Sequence, residues 1–438
     1  MRSFPKTWES NRLKDVAKVN VSSLSADTHA EYEFDYLEIS NVNYHGIVDP
    51  KAIERLRFED APSRARRKVA ANSTLISSVR PNLQAATFIA DHHADFVCST
   101  GFNVVEPNRT RLSPKFVYYL LISEEARQYF ESVATGVGYP AVGDKEFSTI
   151  NIPIPPFSEQ RDIVAYLDAS CAAIDAAVTV KRSQLETLDA LRKAIIQRAV
   201  TRGLSENVVL KATGNVWMKS VPQGWRLVCL KRIAEIQGGL TLGKQYEGSL
   251  IERPYLRVAN VQDGHLDLED VSVIELPESV AAGVELRSGD VLMTEGGDLD
   301  KLGRGYLWNG EIAGCLHQNH IFAVRCFRHK LMPMFLAYVT AAKYGRDYFE
   351  ATGKKTTNLA CTNATKVGEF LIPLPPIEEQ KTICAYLDQK LGEIREIAAT
   401  IEAQITTLSA YRKSLIHECV TGQWRVTEIG LNQVEAHG

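Results

Sequence analysis

Four stretches of this sequence carry side chains suited to gripping a nucleic acid. Thr352-Gly353-Lys354-Lys355-Thr356-Thr357-Asn358 sets two cations beside hydroxyl and amide groups, behind a glycine. Arg and Lys neutralise phosphates and bond guanine, whereas Asn and Gln match the donor and acceptor of adenine. Thr135-Gly136-Val137-Gly138-Tyr139-Pro140-Ala141-Val142 is also glycine-led, and its Tyr139 offers stacking or a phosphate hydrogen bond, but basic residues are missing. The third stretch is Ser63-Arg64-Ala65-Arg66-Arg67-Lys68, a basic run expected to be weakly structured, with Arg80, Asn82 and Gln84 close behind. It reads equally well as a solvated surface. The fourth, Gly296-Gly297-Asp298-Leu299-Asp300-Lys301-Leu302-Gly303-Arg304, joins glycine to charge. A flexible loop there would let Lys301 and Arg304 clamp phosphates or read bases; the competing reading is a tight hairpin with surface ion pairs.

Catalytic chemistry is harder to find. Amino-methyl transfer would need an Asn or Asp before paired prolines and a glycine-rich cofactor loop; the prolines here read IPIPP and IPLPP, and GxGxxG is absent. Glu379-Gln380-Lys381 imitates the ExK of a nuclease, but no paired Asp precedes it. His317 and His320 have HxxH spacing in a strand-like context without further ligands nearby, which favours hydrogen bonding or a base contact over a metal. No catalytic residue, cofactor or metal site is expected.

The elements that position these loops occur twice. Residues 152–168 read IPIPPFSEQRDIVAYLD and residues 372–388 read IPLPPIEEQKTICAYLD, an offset of 220 that holds for about fifty residues. Before each lies a fainter pair: Trp8 opposite Trp225, YLEISNV opposite YLRVANV, NSTLISS opposite GDVLMTE, SPKFVYYL opposite MPMFLAYV. The plan is A–B–A′–B′. Segment A has short β-like runs and an amphipathic helix near 114–131 or 333–350, an α+β pattern with a small curved sheet.

Segment B opens with prolines that force an extended chain. Capping and acidic groups follow in Ser158-Glu159-Gln160 and Glu378-Glu379-Gln380, and Gly203 or Gly422 supplies a stop. Between them Leu167, Cys171, Ile174, Val178, Leu185, Leu188, Ile195 and Ala199 fall at steps of four and three, broken by Lys181 and Arg192. The second copy gives Leu387, Leu391, Ile394, Ala398, Ile401, Ile405, Leu408, Leu415 and Cys419. That is a coiled-coil seam, and a helix of about 43 residues is on the order of 65 Å long. The two copies are expected to pair, antiparallel if the chain is pseudo-symmetric. Arg192 and Arg412, both in the seam, either snorkel from it, anchor a partner or contact a phosphate.

Composition sets the outer bounds. The chain has 438 residues, enough for two to four domains, and a net charge of −3, which excludes a globally basic coat but not a local basic cleft. Its eight cysteines form no CxxC pair and are expected to be reduced and buried. MRSFPKTWES has no secretory pattern, and apolar runs such as FVYYLLI fall far short of a bilayer span, so a cytoplasmic protein without a membrane partner is expected.

Two variable α+β segments, each followed by an I-P-x-P-P-x-x-E-Q helix, resemble the specificity (S) subunit of Type I restriction–modification systems over essentially the whole chain. VRPNLQAATF, CSTGFNVVEP, MTEGGDLDKLGRGYLW and HQNHIFAV add to the likeness. The resemblance implies an α+β fold: two pseudo-symmetric target recognition domains separated by two long helices that form an antiparallel coiled coil. The expected divisions are 1–152 and 204–372 for the recognition domains, 153–203 and 373–422 for the spacer helices with their proline-rich lead-ins, and 423–438 for a tail. It further implies a non-catalytic subunit that reads a bipartite double-stranded DNA target, one half-site per domain. Two methyltransferase (modification) subunits would dock on the helices, and restriction/translocase subunits would join that core. Glycine-led loops like 135–142 and 352–358 reach into the DNA groove in that family. A coiled-coil scaffold whose α+β domains bind proteins is the alternative.

Overall fold

Each proline-rich lead-in is one strand of a two-stranded ladder, where proline's missing donor does least harm. In the computed structural model, Asn151–Ile154 pairs antiparallel with Glu9–Arg12, and Leu371–Leu374 with Arg226–Cys229. Pro153 faces Ser10 and Pro373 faces Leu227, the same register in both copies. The structure describes residues 5–42, 46, 48–81, 85–90, 96–355 and 360–426. The chain divides into two compact units, 1–182 with 402–438, and 183–401.

In the first unit Ala17–Val19, Phe102–Pro107, Ser73–Ser77 and Ala86–Ile89 form an antiparallel sheet in that order. A second sheet runs Glu54–Arg57, Glu33–Leu37, Phe96–Ser99, Ala65–Lys68, its middle pair parallel. The second unit repeats the plan with Ala234–Gly238, Ile321–Cys326, Asp290–Thr294 and Gly305–Leu307, then Ser272–Leu276, Ile251–Leu256 and Leu316–His317. Where one amphipathic helix was expected in each half, the structure has two: Pro114–Leu121 with Glu124–Val133, and Pro333–Ala341 with Lys343–Thr352. In the first copy Ser123 caps the new helix by accepting from the Ala126 amide. In the second, Gly345 lies so close to the Val339 carbonyl that a Cβ would sit 2.6 Å from it.

The repeated EQ and YLD residues form a clamp. Gln160 is fully buried; its Oε1 accepts from the Ser113 amide at 2.8 Å, and its Nε2 donates to the carbonyls of Arg111 and Pro155, both at 2.9 Å. Gln380 does the same with Met332, Lys330 and Pro375 at 2.9, 2.8 and 3.0 Å. The glutamine thus ties the lead-in to the chain before Pro114 or Pro333, rather than capping its own helix as its place in the sequence suggests. Tyr119 donates to Asp168 at 2.7 Å, and Tyr338 donates to Asp388. Burial first, then the neighbouring carboxylate, pushes both phenols up, so they remain donors.

The long helices span Phe157–Arg202 and Ile377–Thr421, and both stop at a glycine with φ near +70°. They run antiparallel. In the first unit Asp175 pairs with Arg412 at 3.1 Å and Lys181 reaches Gln404 at 2.6 Å, one number rising as the other falls. In the second, Gly203 lies beside Glu379, and Ile195 shares a cavity with Tyr386. Leu167, Ile174, Val178, Leu387, Ile394, Ile401 and Leu415 are buried. Leu185, Leu188, Leu391, Ile405 and Leu408 are only half-buried, as is Ile195, whose neighbour Ile196 takes the core position. A 3.6-residue turn drifts off a strict heptad, so not every seam position stays buried. By length and composition Phe157–Arg202 could cross a bilayer, with an 18-residue window of mean hydropathy 1.6, although none of its purely apolar runs is that long. Its Leu167, Cys171, Ile174 and Val178 are instead buried in the core of the first unit, and its Asp168 and Asp175 are ion-paired with Lys115 and Arg412.

Candidate nucleic-acid interface

The two glycine-led loops occupy the same place in their units. In the first, the chain leaves strand Ser73–Ser77, and Val79 bridges to Ala141, which in turn bridges to Thr135. Thr135 and Ala141 exchange two main-chain bonds of 2.9 Å, the Val142 amide donates to Ser78 at 2.9 Å, and the Arg80 amide donates to Pro140 at 2.7 Å. In the second unit, Gly296–Gly297, Ala360–Cys361 and Lys354–Lys355 form a three-stranded ladder. The Thr362 amide donates to Glu295 at 2.8 Å, the counterpart of Val142 on Ser78. Thus the structure brings Gly296–Gly297 and Lys354–Lys355 onto the two sides of Ala360–Cys361, which their separation in sequence had hidden. Asn82, Gln84, Thr357 and Asn358 lie outside the described residues.

The side chains on the two ladders differ. Lys354 and Lys355 are exposed. Their counterpart loop offers Val137, fully exposed, and Tyr139, 71% exposed, between Gly136 and Gly138 with φ of +111° and +85°. The Arg80 guanidinium lies 4.5 Å from the centre of the Tyr139 ring, and Arg80 itself has φ +50°, a conformation that costs a non-glycine residue about 1 kcal/mol or more. Gly297, two residues after Glu295 as Arg80 is two after Ser78, also has positive φ.

The other candidates are engaged by the protein. The basic run is the strand Ala65–Lys68 at a sheet edge, rather than a weakly structured stretch, because it pairs with Phe96–Ser99 through a bulge. Arg64 pairs with Glu38 and donates to Tyr36; Arg66 lies 4.5 Å over Phe58; Arg67 donates to Phe102 and Asn103 and pairs with Asp144 at 3.3 Å. Lys68 is exposed. The 296–304 stretch is a pinned turn and not a flexible loop. Leu302 is buried, Leu299 packs on the same core, and Gly303 lies so close to the Phe349 ring that a Cβ would sit 2.3 Å away. Lys301 pairs with Asp298.

Arg304 turns towards a network that no sequence pattern announced. Asp263 accepts from Arg192 at 3.0 Å and from Arg346 at 2.6 Å, while Arg304 reaches Gln262 at 3.4 Å. Burial alone would raise Asp263; the guanidiniums of Arg346, Arg192 and Arg304 outweigh it and hold the carboxyl below its ordinary value. Neither seam arginine has a wet head of the snorkelling kind: Arg192 joins this network, and Arg412 pairs with Asp175 across the helices. His317 is buried and its Nδ1 bonds the Ile321 carbonyl at 2.8 Å, whereas exposed His320 faces Glu295 at 3.0 Å. The HxxH imidazoles have separate partners.

Residues 5–186 match the family model described as Type I restriction modification DNA specificity domain. Over 358 residues the chain is 26% identical to the specificity subunit of the Type I restriction enzyme EcoKI of Escherichia coli strain K12, covering 77% of this chain and 72% of that protein. It is 25% identical over 346 residues to the StySPI specificity subunit of Salmonella potsdam, with the same coverage. Among solved structures, a chain described under complex assembly and conformational transition of the type I R-M system aligns with a TM-score of 0.77 at 22% identity, covering 97% of this chain and all of that one. The HsdS subunit from Thermoanaerobacter tengcongensis aligns with a TM-score of 0.53 at 22% identity, over 97% and 99% of the two chains. At that identity the structural likeness speaks to the fold.

Proposed function

We propose that this chain is a specificity subunit of a Type I restriction–modification system, as its match over residues 5–186 and its curated relatives support, and that it reads a bipartite double-stranded DNA target, one half-site per compact unit. It carries no catalytic step of its own and docks methyltransferase and restriction subunits. The observation that carries this reading is the ladder built twice on one main-chain plan and dressed with different side chains. A constant frame with variable tips is what reading two unlike half-sites requires.

For docking, the support is a pair of exposed apolar residues at equivalent positions of the two long helices. Leu191 and Tyr411, 220 residues apart, are 46% and 54% exposed. Repeated sites on repeated helices suit two copies of one partner, the methyltransferase subunit. Helices of 46 and 45 residues, each roughly 70 Å long, match about two turns of duplex and are the element that would set the unread gap.

The test is co-expression with a Type I methyltransferase subunit encoded beside this chain, followed by genome-wide mapping of methylated adenines. A bipartite motif with a fixed gap is expected. A formed complex that methylates nothing would overturn the reading in favour of a scaffold whose α+β modules bind proteins.

A further inference from the structure

The tip of the first unit's ladder is ordered by its main chain and not by its side chains. Four main-chain bonds hold residues 135–142 and 78–80 together. Beyond them the chain reverses through Gly136 and Gly138, where positive φ requires glycine, and no atom lies within 4 Å of where a Gly138 Cβ would be. Between and after them stand Val137 and Tyr139, exposed and unused by the fold. A single exposed apolar residue is ordinary. Here it coincides with a strained Arg80 whose guanidinium backs one face of the Tyr139 ring.

We propose that Val137 and Tyr139 form a wedge that enters the base stack of the first unit's half-site and unstacks one base step. The proposal rests on the DNA-reading function above and names how this ladder acts. An apolar β-branched tip can separate neighbouring bases, and an aromatic ring braced from behind by a cation offers its free face to the base thereby exposed. Arg80 brings positive charge to the same spot, where phosphates flank the opened step. The second unit's ladder has no such tip among its described residues and presents Lys354 and Lys355, which suit backbone contact without unstacking.

The experiment uses the full chain assembled with its methyltransferase subunit and duplexes carrying the motif mapped by methylation. 2-Aminopurine replaces one base at a time across both half-sites, avoiding the methylated adenine, which is itself expected to leave the stack. A severalfold rise in emission on binding is expected at one step of one half-site. Val137→Ser should abolish it and weaken specific binding about tenfold, Tyr139→Ala should weaken binding similarly, and Val137→Leu should restore the signal. Specific binding and methylation with no emission rise at any step would overturn the wedge and leave the DNA-reading function standing. So would a flat emission profile combined with weaker binding when a thymine is replaced by uracil, which would make Val137 a reader of the thymine methyl. If the complex shows no sequence-specific binding or methylation, the underlying function fails, and the wedge with it.

Discussion

Replacing Gln160 with Leu should loosen the first ladder by an amount that its twin, Gln380→Leu, reproduces. Leucine keeps most of the volume and removes three hydrogen bonds, leaving the Ser113 amide and the carbonyls of Arg111 and Pro155 without their side-chain partner. A buried group left unpaired costs about 1–3 kcal/mol, and a partly wet one less, because water takes over. Pro155 is buried while Ser113 is half-buried and Arg111 exposed, and Pro375, Met332 and Lys330 grade the same way. The sum is about 3 kcal/mol at each site, which is roughly a hundredfold in an opening equilibrium. Native-state hydrogen exchange reads this locally: amides of the Asn151–Ile154 ladder should exchange roughly a hundredfold faster in Gln160→Leu, and those of Leu371–Leu374 in Gln380→Leu. Each variant should leave the other ladder unchanged. Acceleration below about tenfold at both sites would mean the glutamine bonds merely replace water. A large response at one site alone would show that identical geometry here does not carry identical energy.

Three further outcomes follow from particular groups. Lys354→Ala and Lys355→Ala should each reduce the slope of log binding constant against log salt by about 0.9 if each neutralises one phosphate; an unchanged slope removes them from the interface. Burial lowers the His317 pKa, so the folded chain keeps the ring neutral while the unfolded chain takes up a proton below about pH 6.5. Stability is therefore full above that pH and falls as pH drops towards the depressed folded value, by at most about 1.4 kcal/mol per unit. Urea midpoints at pH 7.5 and 5.5 should differ less in His317→Gln than in the parent, and an equal drop in both would place the pH dependence elsewhere. Asp263→Asn leaves Arg192, Arg346 and Arg304 without their shared counter-charge. Since Asp263 is 40% exposed, the loss should be about 1–2 kcal/mol, well below that of a fully buried pair. An unchanged urea midpoint would show that water already screens the cluster.

Periodicity and proline chemistry made the long helices legible, because a seam and a forced extended lead-in are properties of the chain itself. Gly203 and Gly422 stop the helices where the sequence places them. The function of Gln160 was not legible: a glutamine two residues after serine reads locally as belonging to a helix cap, and its partners lie 49 and 47 residues earlier. The pairing of Gly296 with Cys361 was hidden for the same reason. Basic runs misled in a different way. Arg64, Arg66 and Arg67 have the right chemistry for phosphate, and neighbouring groups of the fold already engage all three. Charge can be read from sequence; its availability cannot.

On the proposed function, a main-chain frame is what lets one plan serve two readers. In both units the ladder is joined by main-chain hydrogen bonds, Val142 to Ser78 and Thr362 to Glu295, whose strength does not depend on which side chains the tip displays. Val137, Tyr139, Lys354 and Lys355 are exposed, so a substitution there is expected to shift stability by no more than about 0.5 kcal/mol. Arg80 marks the limit of that freedom. Its left-handed backbone would be more comfortable as glycine, the residue at Gly297 in the second unit. An arginine in that conformation is worth its strain only if the side chain acts, and its guanidinium lies against the Tyr139 ring. The repeated sentence of the sequence therefore carries the architecture, and on the proposed function the residues that break the repeat are expected to carry whatever distinguishes one half-site from the other.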